Sequence, residues 1–222
     1  MQLAIDTASE LASLAVADDG EIVAELTWRC HRNHTVELLP AIETVLAQAG
    51  AAKGDLSAVF VCTGPGMYTG QRVGISVAKA LAYAGAVPLV GVGRLELDAY
   101  PHSAFPGAVI AVHRAGRGEL AWAAYTGGPW RELEPPQLSK PEELAARIAE
   151  RTLVVGEVDE VLAALLSARA VFPPASASVR RAGTLVELGN ARLALGQADE
   201  PAAVRPIYLR PPAIGPQKPS GG

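Results

Sequence analysis

Apolar and polar positions alternate over the first 28 residues in a way that predicts three short strands. Gln2–Asp6 is an apolar run ending in an acid, and Leu11–Ala17 is the second run. In Glu21–Trp28, Ile22, Ala24 and Leu26 alternate with other residues, and Asp18-Asp19-Gly20 is a turn signal ahead of it. The period then changes. Leu38, Leu39, Ile42, Val45, Leu46 and Ala49 recur at helical spacing from about Thr35 to Ala49, with Asn33 or Thr35 to cap the start and Gly50 to end it. Pro40 inside that pattern predicts a kink or a delayed start. Ala58–Cys62 is short and apolar enough for a buried strand. A glycine-rich loop, Thr63–Gly70, a helix over about Gln71–Ala84 and a buried strand, Val87–Val92, follow. The first hundred residues therefore read β-β-β-α-β-α-β.

The second half repeats the style more loosely. Ala108–Val112 and Leu120–Tyr125 predict paired strands around Arg114–Gly118. Ser139-Lys140-Pro141-Glu142 opens a helix to about Glu150. A strand at Thr152–Val155, a short helix at Val158–Ser167 and a longer one at Val179–Leu195 complete the pattern. Pro101–Gly107 is the best boundary, and the Pro- and Gly-rich last dozen residues predict a frayed end.

Composition narrows the classes. Of 222 residues, 50% are hydrophobic and 19% charged, which supports a real core and excludes disorder for most of the chain. A net charge of −4 argues against a stand-alone nucleic-acid binder, so an RNA-linked role calls for a partner that brings positive charge. Cys30 and Cys62 alone make neither a disulfide framework nor a zinc site. Met1–Asp6 lacks a basic flank, and no uncharged run nears the ~18 residues of a membrane span, so a cytoplasmic setting without membrane contact is expected.

Candidate chemistry centres on the strand–loop–helix from Ala58 to Ala84. Free N–H groups at a helix start favour phosphate, and Gly64, Gly66, Asp6 and Thr7 are the candidate nucleotide contacts. The loop departs from both common phosphate patterns: Thr69-Gly70 is followed by Gln71-Arg72, and Gly64-x-Gly66 by three residues before Gly70. Its glycines read more readily as a tight turn beside a neighbouring backbone than as a nucleotide site. Asp6 could hold a metal or water, or cap the turn that follows. His31 and His34 have a metal-like spacing without a nearby third ligand, so His34 reads as a surface or capping residue. Cys30 adjoins Arg29 and His31, and Cys62 reads as core. No nucleophile elbow or acid–base pair is present. The helix after the loop carries a small-residue stripe, Gly74, Ala78 and Ala82, and further apolar residues at Val73, Ile75, Val77 and Leu81. An all-round apolar helix is usually buried on two faces, and the second cover could be a partner or the protein's own sheet.

Five blocks, in order, resemble one family: Ala4-Ile5-Asp6-Thr7-Ala8; His34-x-x-Glu37-Leu38-Leu39-Pro40; Gly64-Pro65-Gly66-x-Tyr68-Thr69-Gly70-x-Arg72-x-Gly74; Ala78–Ala82; and Pro206-x-Tyr208-Leu209-Arg210. They resemble TsaB, also called YeaZ. Residues 127–177 match only in style. The resemblance implies an α/β chain of the actin/hexokinase-like ATPase fold, with two RNase H-like lobes built on mixed sheets: an N-terminal lobe at 1–104, a smaller degenerate lobe at 105–212 and a disordered tail at 213–222. It implies a non-catalytic scaffold and activator that pairs with TsaD, with TsaE, for threonylcarbamoyladenosine formation on tRNAs reading ANN codons, and that also forms homodimers. TsaD carries the active site and metal, and tRNA is met indirectly through the complex. No cofactor is expected to be held tightly by this chain alone; ATP or ADP would sit at the partner junction or in TsaE. The expected interface is His34, Leu38, Leu39, Ile42, Val45 and Leu46 on the first helix, with Arg72, Val73, Gly74, Val77, Ala78 and Leu81 on the second. TsaD's His-x-x-x-His metal pair aligns with Arg94 and Asp98, and an arginine cannot replace a neutral imidazole on a metal. The rival reading is a stand-alone ATP-binding phosphotransferase or hydrolase of the same fold, with a peptidase third.

Overall fold

In the first strand, Leu3 and Ile5 enter one core while Ala4 enters another, so both faces of this strand are covered. That is the signature of a central strand. The structure, a computed structural model, describes residues 1–209. The expected tail at 213–222, the outer limit at 212 and Arg210 of the closing motif lie outside the described residues.

The order is β1 (Gln2–Asp6), β2 (Leu11–Asp18), β3 (Glu21–Arg29), α1 (His34–Gln48), β4 (Ala58–Gly64), α2 (Tyr68–Gly85), β5 (Leu89–Gly93) and α3 (Arg94–Ala99). After them come β6 (Ala108–Gly116), β7 (Glu119–Thr126), β8 (Arg131–Ser139), α4 (Pro141–Arg147), β9 (Thr152–Gly156), α5 (Glu160–Leu166), β10 (Ala170–Val171) and α6 (Ala182–Ala194). The sheets have the orders β3-β2-β1-β4-β5 and β8-β7-β6-β9-β10. In each, the first three strands pair antiparallel and the last two join parallel. The second sheet thus repeats the first, strand for strand. These are the two RNase H-like lobes of the actin/hexokinase-like ATPase fold.

Helices α1 and α2 cover one face of the first sheet, and α4 and α5 one face of the second. The remaining faces are covered by exchange. Helix α3, which follows the first lobe's last strand, packs chiefly on β6, β7 and β9, with Leu95 and Ala99 in that core. Helix α6, which follows the second lobe's last strand, packs on β1, β2, β4 and β5 through Ala182, Leu185, Val186 and Leu188. Gly189 permits the approach: a Cβ there would lie 2.4 Å from the Phe60 ring. Beyond α6 the chain straps the first lobe. Asp199 N–H donates to Leu89 O (2.8 Å), its Oδ2 accepts from Gly91 N–H (2.7 Å), and Ile207 N–H donates to Thr63 O (2.8 Å). The segment 182–209, assigned from the sequence to the second lobe, therefore packs with the first, whose second face would otherwise be bare.

Other departures are local. β8 gives no strand signal in the sequence because it carries Pro135 and Pro136; it is an edge strand, where a missing donor faces no neighbour. α3 and β10 are too short for periodicity. α1 runs continuously through Pro40, and the bond that proline cannot donate is the one to the carbonyl of Val36, an exposed residue. Among the described residues no helix is long and apolar enough to cross a membrane.

Candidate functional site

The end of β1 meets the glycine-rich loop, and the loop's glycines serve close packing. A Cβ on Gly66 would lie 2.0 Å from Ala8 O, one on Gly70 2.2 Å from Thr7 O, and one on Gly74 2.2 Å from Thr7 Oγ1. Met67 N–H donates to Ala8 O (2.8 Å), and the Thr7 hydroxyl donates to Gly70 O (2.8 Å). Gly64 (φ +93°) carries the Gln71 amide against its Cα, which leaves no space for a side chain. The tight-turn reading of the loop holds.

Asp6 is buried and already paired. Its Oδ1 accepts from Ala8 N–H (2.9 Å), and its Oδ2 accepts from Arg180 Nε. Burial alone would raise its carboxyl, but the Arg180 charge, the Arg180 hydrogen bond and the Ala8 N–H outweigh it and hold the group below its ordinary range. Arg180 also reaches Asp98 Oδ1 (3.3 Å) and Ser9 Oγ (3.1 Å). Burial works to lower this guanidinium, but the charges of Asp6 and Asp98 and the hydrogen bond to Asp6 together outweigh it, so it stays charged. From Asp98 the series continues into the second lobe. Arg94 Nε lies 3.5 Å from Asp98 Oδ2, and Arg94 Nη2 donates to Glu157 Oε1 (2.6 Å). His113 Nδ1 lies 2.9 Å from Glu157 Oε2 and 2.8 Å from Arg94 Nη1. One ring nitrogen makes one of these bonds at a time: protonated it donates to Glu157, unprotonated it accepts from Arg94. Burial works to raise Glu157, but His113 and Arg94 hold it well below its ordinary range. Charges thus alternate from Asp6 through Arg180, Asp98 and Arg94 to Glu157, crossing between the lobes.

This relay decides what the predicted residues can do. Asp6, Thr7 and Gly64 are buried and do not line the inter-lobe cleft, whose walls include Ser9, Glu10, Met67, Arg94, His113 and Glu157. Gly66 opens on a different hollow, beside Tyr68 and Tyr208. The four expected nucleotide contacts do not form one cradle, because Arg180, a residue the sequence did not single out, fills the end of β1. Among the described residues no group of three or more His, Cys, Asp or Glu is placed to hold a metal. His34 is buried with Nε2 2.9 Å from Ser9 O, and His31 is exposed. Burial, then Glu37, pushes the Cys30 thiol up, the opposite of activation by Arg29.

The expected interface divides. Leu38, Ile42, Val45, Leu46, Gly74 and Ala78 are buried in the first lobe's own core, and His34 is 1% exposed. The small-residue stripe faces the first lobe's own core, with Gly74 against Thr7 and Ile5. Leu39 (51% exposed), Val36 (73%) and Tyr83 (85%) face outward. Val73, Val77 and Leu81 are half-buried, and Arg72 is exposed.

Comparison with known proteins bears on this architecture. The TsaB "tRNA threonylcarbamoyladenosine biosynthesis protein" of Escherichia coli is 36% identical over 151 residues, covering 66% of this chain and 65% of that protein. The Bacillus subtilis protein of the same name is 35% identical over 125 residues, covering 56% and 53%. The chain is thus matched over less than two thirds of each. The solved structure of YeaZ from Pseudomonas aeruginosa superposes with a TM-score of 0.78 at 26% identity, over 93% of this chain and 99% of that one. The family model for TsaD, tRNA N6-adenosine threonylcarbamoyltransferase, matches residues 21–192. The chain belongs to this family, in its TsaB (YeaZ) branch. TsaB membership accounts for the five sequence blocks. The block around Gly64–Gly74 is the one that folds against β1, and Tyr208 of the closing block stacks on Tyr68 (5.4 Å between centroids).

Proposed function

We propose that the chain is a non-catalytic subunit in tRNA threonylcarbamoyladenosine biosynthesis, one that activates TsaD by docking to it, with TsaE joining the assembly. The observation that carries this is the Asp6–Arg180 pair: the carboxylate best placed for metal or phosphate work is neutralised by the chain's own guanidinium. The docking face is the outward side of the α1–α2 pair, centred on Val36, Leu39, Val73, Val77 and Tyr83. Each such side chain, fully buried, contributes about 1.5–3 kcal/mol before association costs. A second copy of the chain would use the same face in a homodimer. A nucleotide would then sit at the partner junction or in TsaE.

Leu39→Glu with Ala80→Glu tests this, since both residues are exposed. The pair should abolish co-elution with TsaD and stimulation of tRNA modification, with the thermal midpoint unchanged. Full co-elution would reject the face. Substitution at Gly74 would not test it, since that side chain would enter the chain's own core. The rival, a stand-alone ATP-using enzyme, predicts micromolar Mg-ATP binding and turnover by the isolated chain in a calorimetric titration.

A further inference from the structure

We propose that the groove between α2 and the C-terminal strap binds the phosphodiester backbone of RNA directly. This rests on the reading that the chain works in tRNA modification, and goes beyond the expectation that tRNA is met only through the complex. The groove is lined by Arg72, Ile75 and Lys79 of α2 and by Arg205, Pro206 and Tyr208 of the strap. No carboxylate lines it, and among the described residues none of its three cations has an ion-pair partner. In a chain of net charge −4, three cations around one groove without a carboxylate in its lining make a local positive patch.

The arrangement suits a polyanion. Arg72 and Lys79 stand two turns apart on one helix flank, about 10 Å along its axis, and Arg205 joins them from the strap. Charges strung along a groove match a row of phosphates better than a single small anion. Arg72 is held ready: its Nε donates to Tyr208 Oη (2.9 Å), and its guanidinium lies 4.1 Å from the Tyr68 ring centroid. Among the described residues its Nη groups have no hydrogen-bond partner, which leaves them for a phosphate that a guanidinium grips bidentately. Tyr68 (44% exposed) and Tyr208 (37%) stack on each other at 5.4 Å between centroids, and the pair stays part-exposed beside these cations. A part-exposed aromatic pair next to a basic track is a combination that binds nucleic acid by ring contact and charge together. An acidic protein surface would use the cations and leave the rings without a role.

The test uses the reconstituted complex with TsaD. Lys79→Glu/Arg205→Glu is compared with a control reversal on the second lobe, Arg117→Glu/Arg131→Glu. Size exclusion reads pairing, and filter binding of tRNA at several salt concentrations reads affinity. The groove variant should pair normally, bind tRNA about tenfold or more weaker at low salt, and lose about one to two units of salt slope. The milder Lys79→Gln/Arg205→Gln should fall between, and the control should match wild type. A paired groove variant with wild-type affinity and slope overturns the proposal and leaves the subunit reading intact. Loss of pairing with TsaD also overturns it, by making the groove a protein contact. Wild-type chain that neither pairs with TsaD nor supports modification sinks the reading and this inference with it.

Discussion

Arg180 is seated against Asp6, 174 residues away in the chain, and closes the end of β1 from within. Both side chains are almost fully buried, so each is the other's substitute for water. A cleft that could open on a metal or phosphate instead ends in a cation belonging to the protein.

Replacing Arg180 by Met should strand Asp6 without a counter-charge and leave Asp98 to Arg94 alone. The expected loss is about 3–5 kcal/mol, read as a lower urea midpoint at unchanged slope. Adding Asp6→Asn to Arg180→Met should recover part of it. A single variant as stable as wild type would remove the relay from the list of stabilising features.

Gly66→Ala places a methyl 2.0 Å from Ala8 O, which backbone cannot easily yield. A loss of about 1–3 kcal/mol is expected. Gly54→Ala, with nothing within 4 Å, should be neutral in the same denaturation assay.

Acid should weaken the protein through the same relay. Asp6 and Glu157 have ordinary values of 3.8 and 4.5, and both are depressed in the folded state. The unfolded chain therefore takes up protons first, so this stabilisation is complete above about pH 4.5 and drains away as pH falls below it. Thermal midpoints measured from pH 7 to pH 3 should fall less steeply for Glu157→Gln than for wild type. Parallel curves would contradict the assignment.

Neither cysteine should behave as a reactive thiol. Burial raises both, and Asp6 raises Cys62 further. An aromatic disulfide reagent should label neither within minutes in native buffer, and both once the chain is unfolded in urea.

The strand and helix order of each lobe was legible because it rests on periodicity, which local sequence carries. Partner choice was not. Helix α2 is apolar nearly all round, and one sequence cannot say which side meets its own sheet. Gly74 and Ala78 read as a seam for another helix but are buried in the chain's own first lobe, Gly74 against Thr7 and Ile5. The Asp6–Arg180–Asp98–Arg94–Glu157 series joins four distant segments, and no spacing rule connects them. The basic groove was hidden likewise, since Arg205 lies far along the chain from Arg72 and Lys79. β8 was lost for a different reason: its two prolines argue against any strand except one at an edge.

The crossing of α3 and α6 has a consequence for how this polypeptide can be divided. Severed in the stretch between Pro101 and β6, it would yield two fragments, each carrying the other's missing cover and lacking its own. Neither should be an autonomous module. Mixed, they should reassemble by fragment complementation, and the intact chain should melt in a single cooperative step.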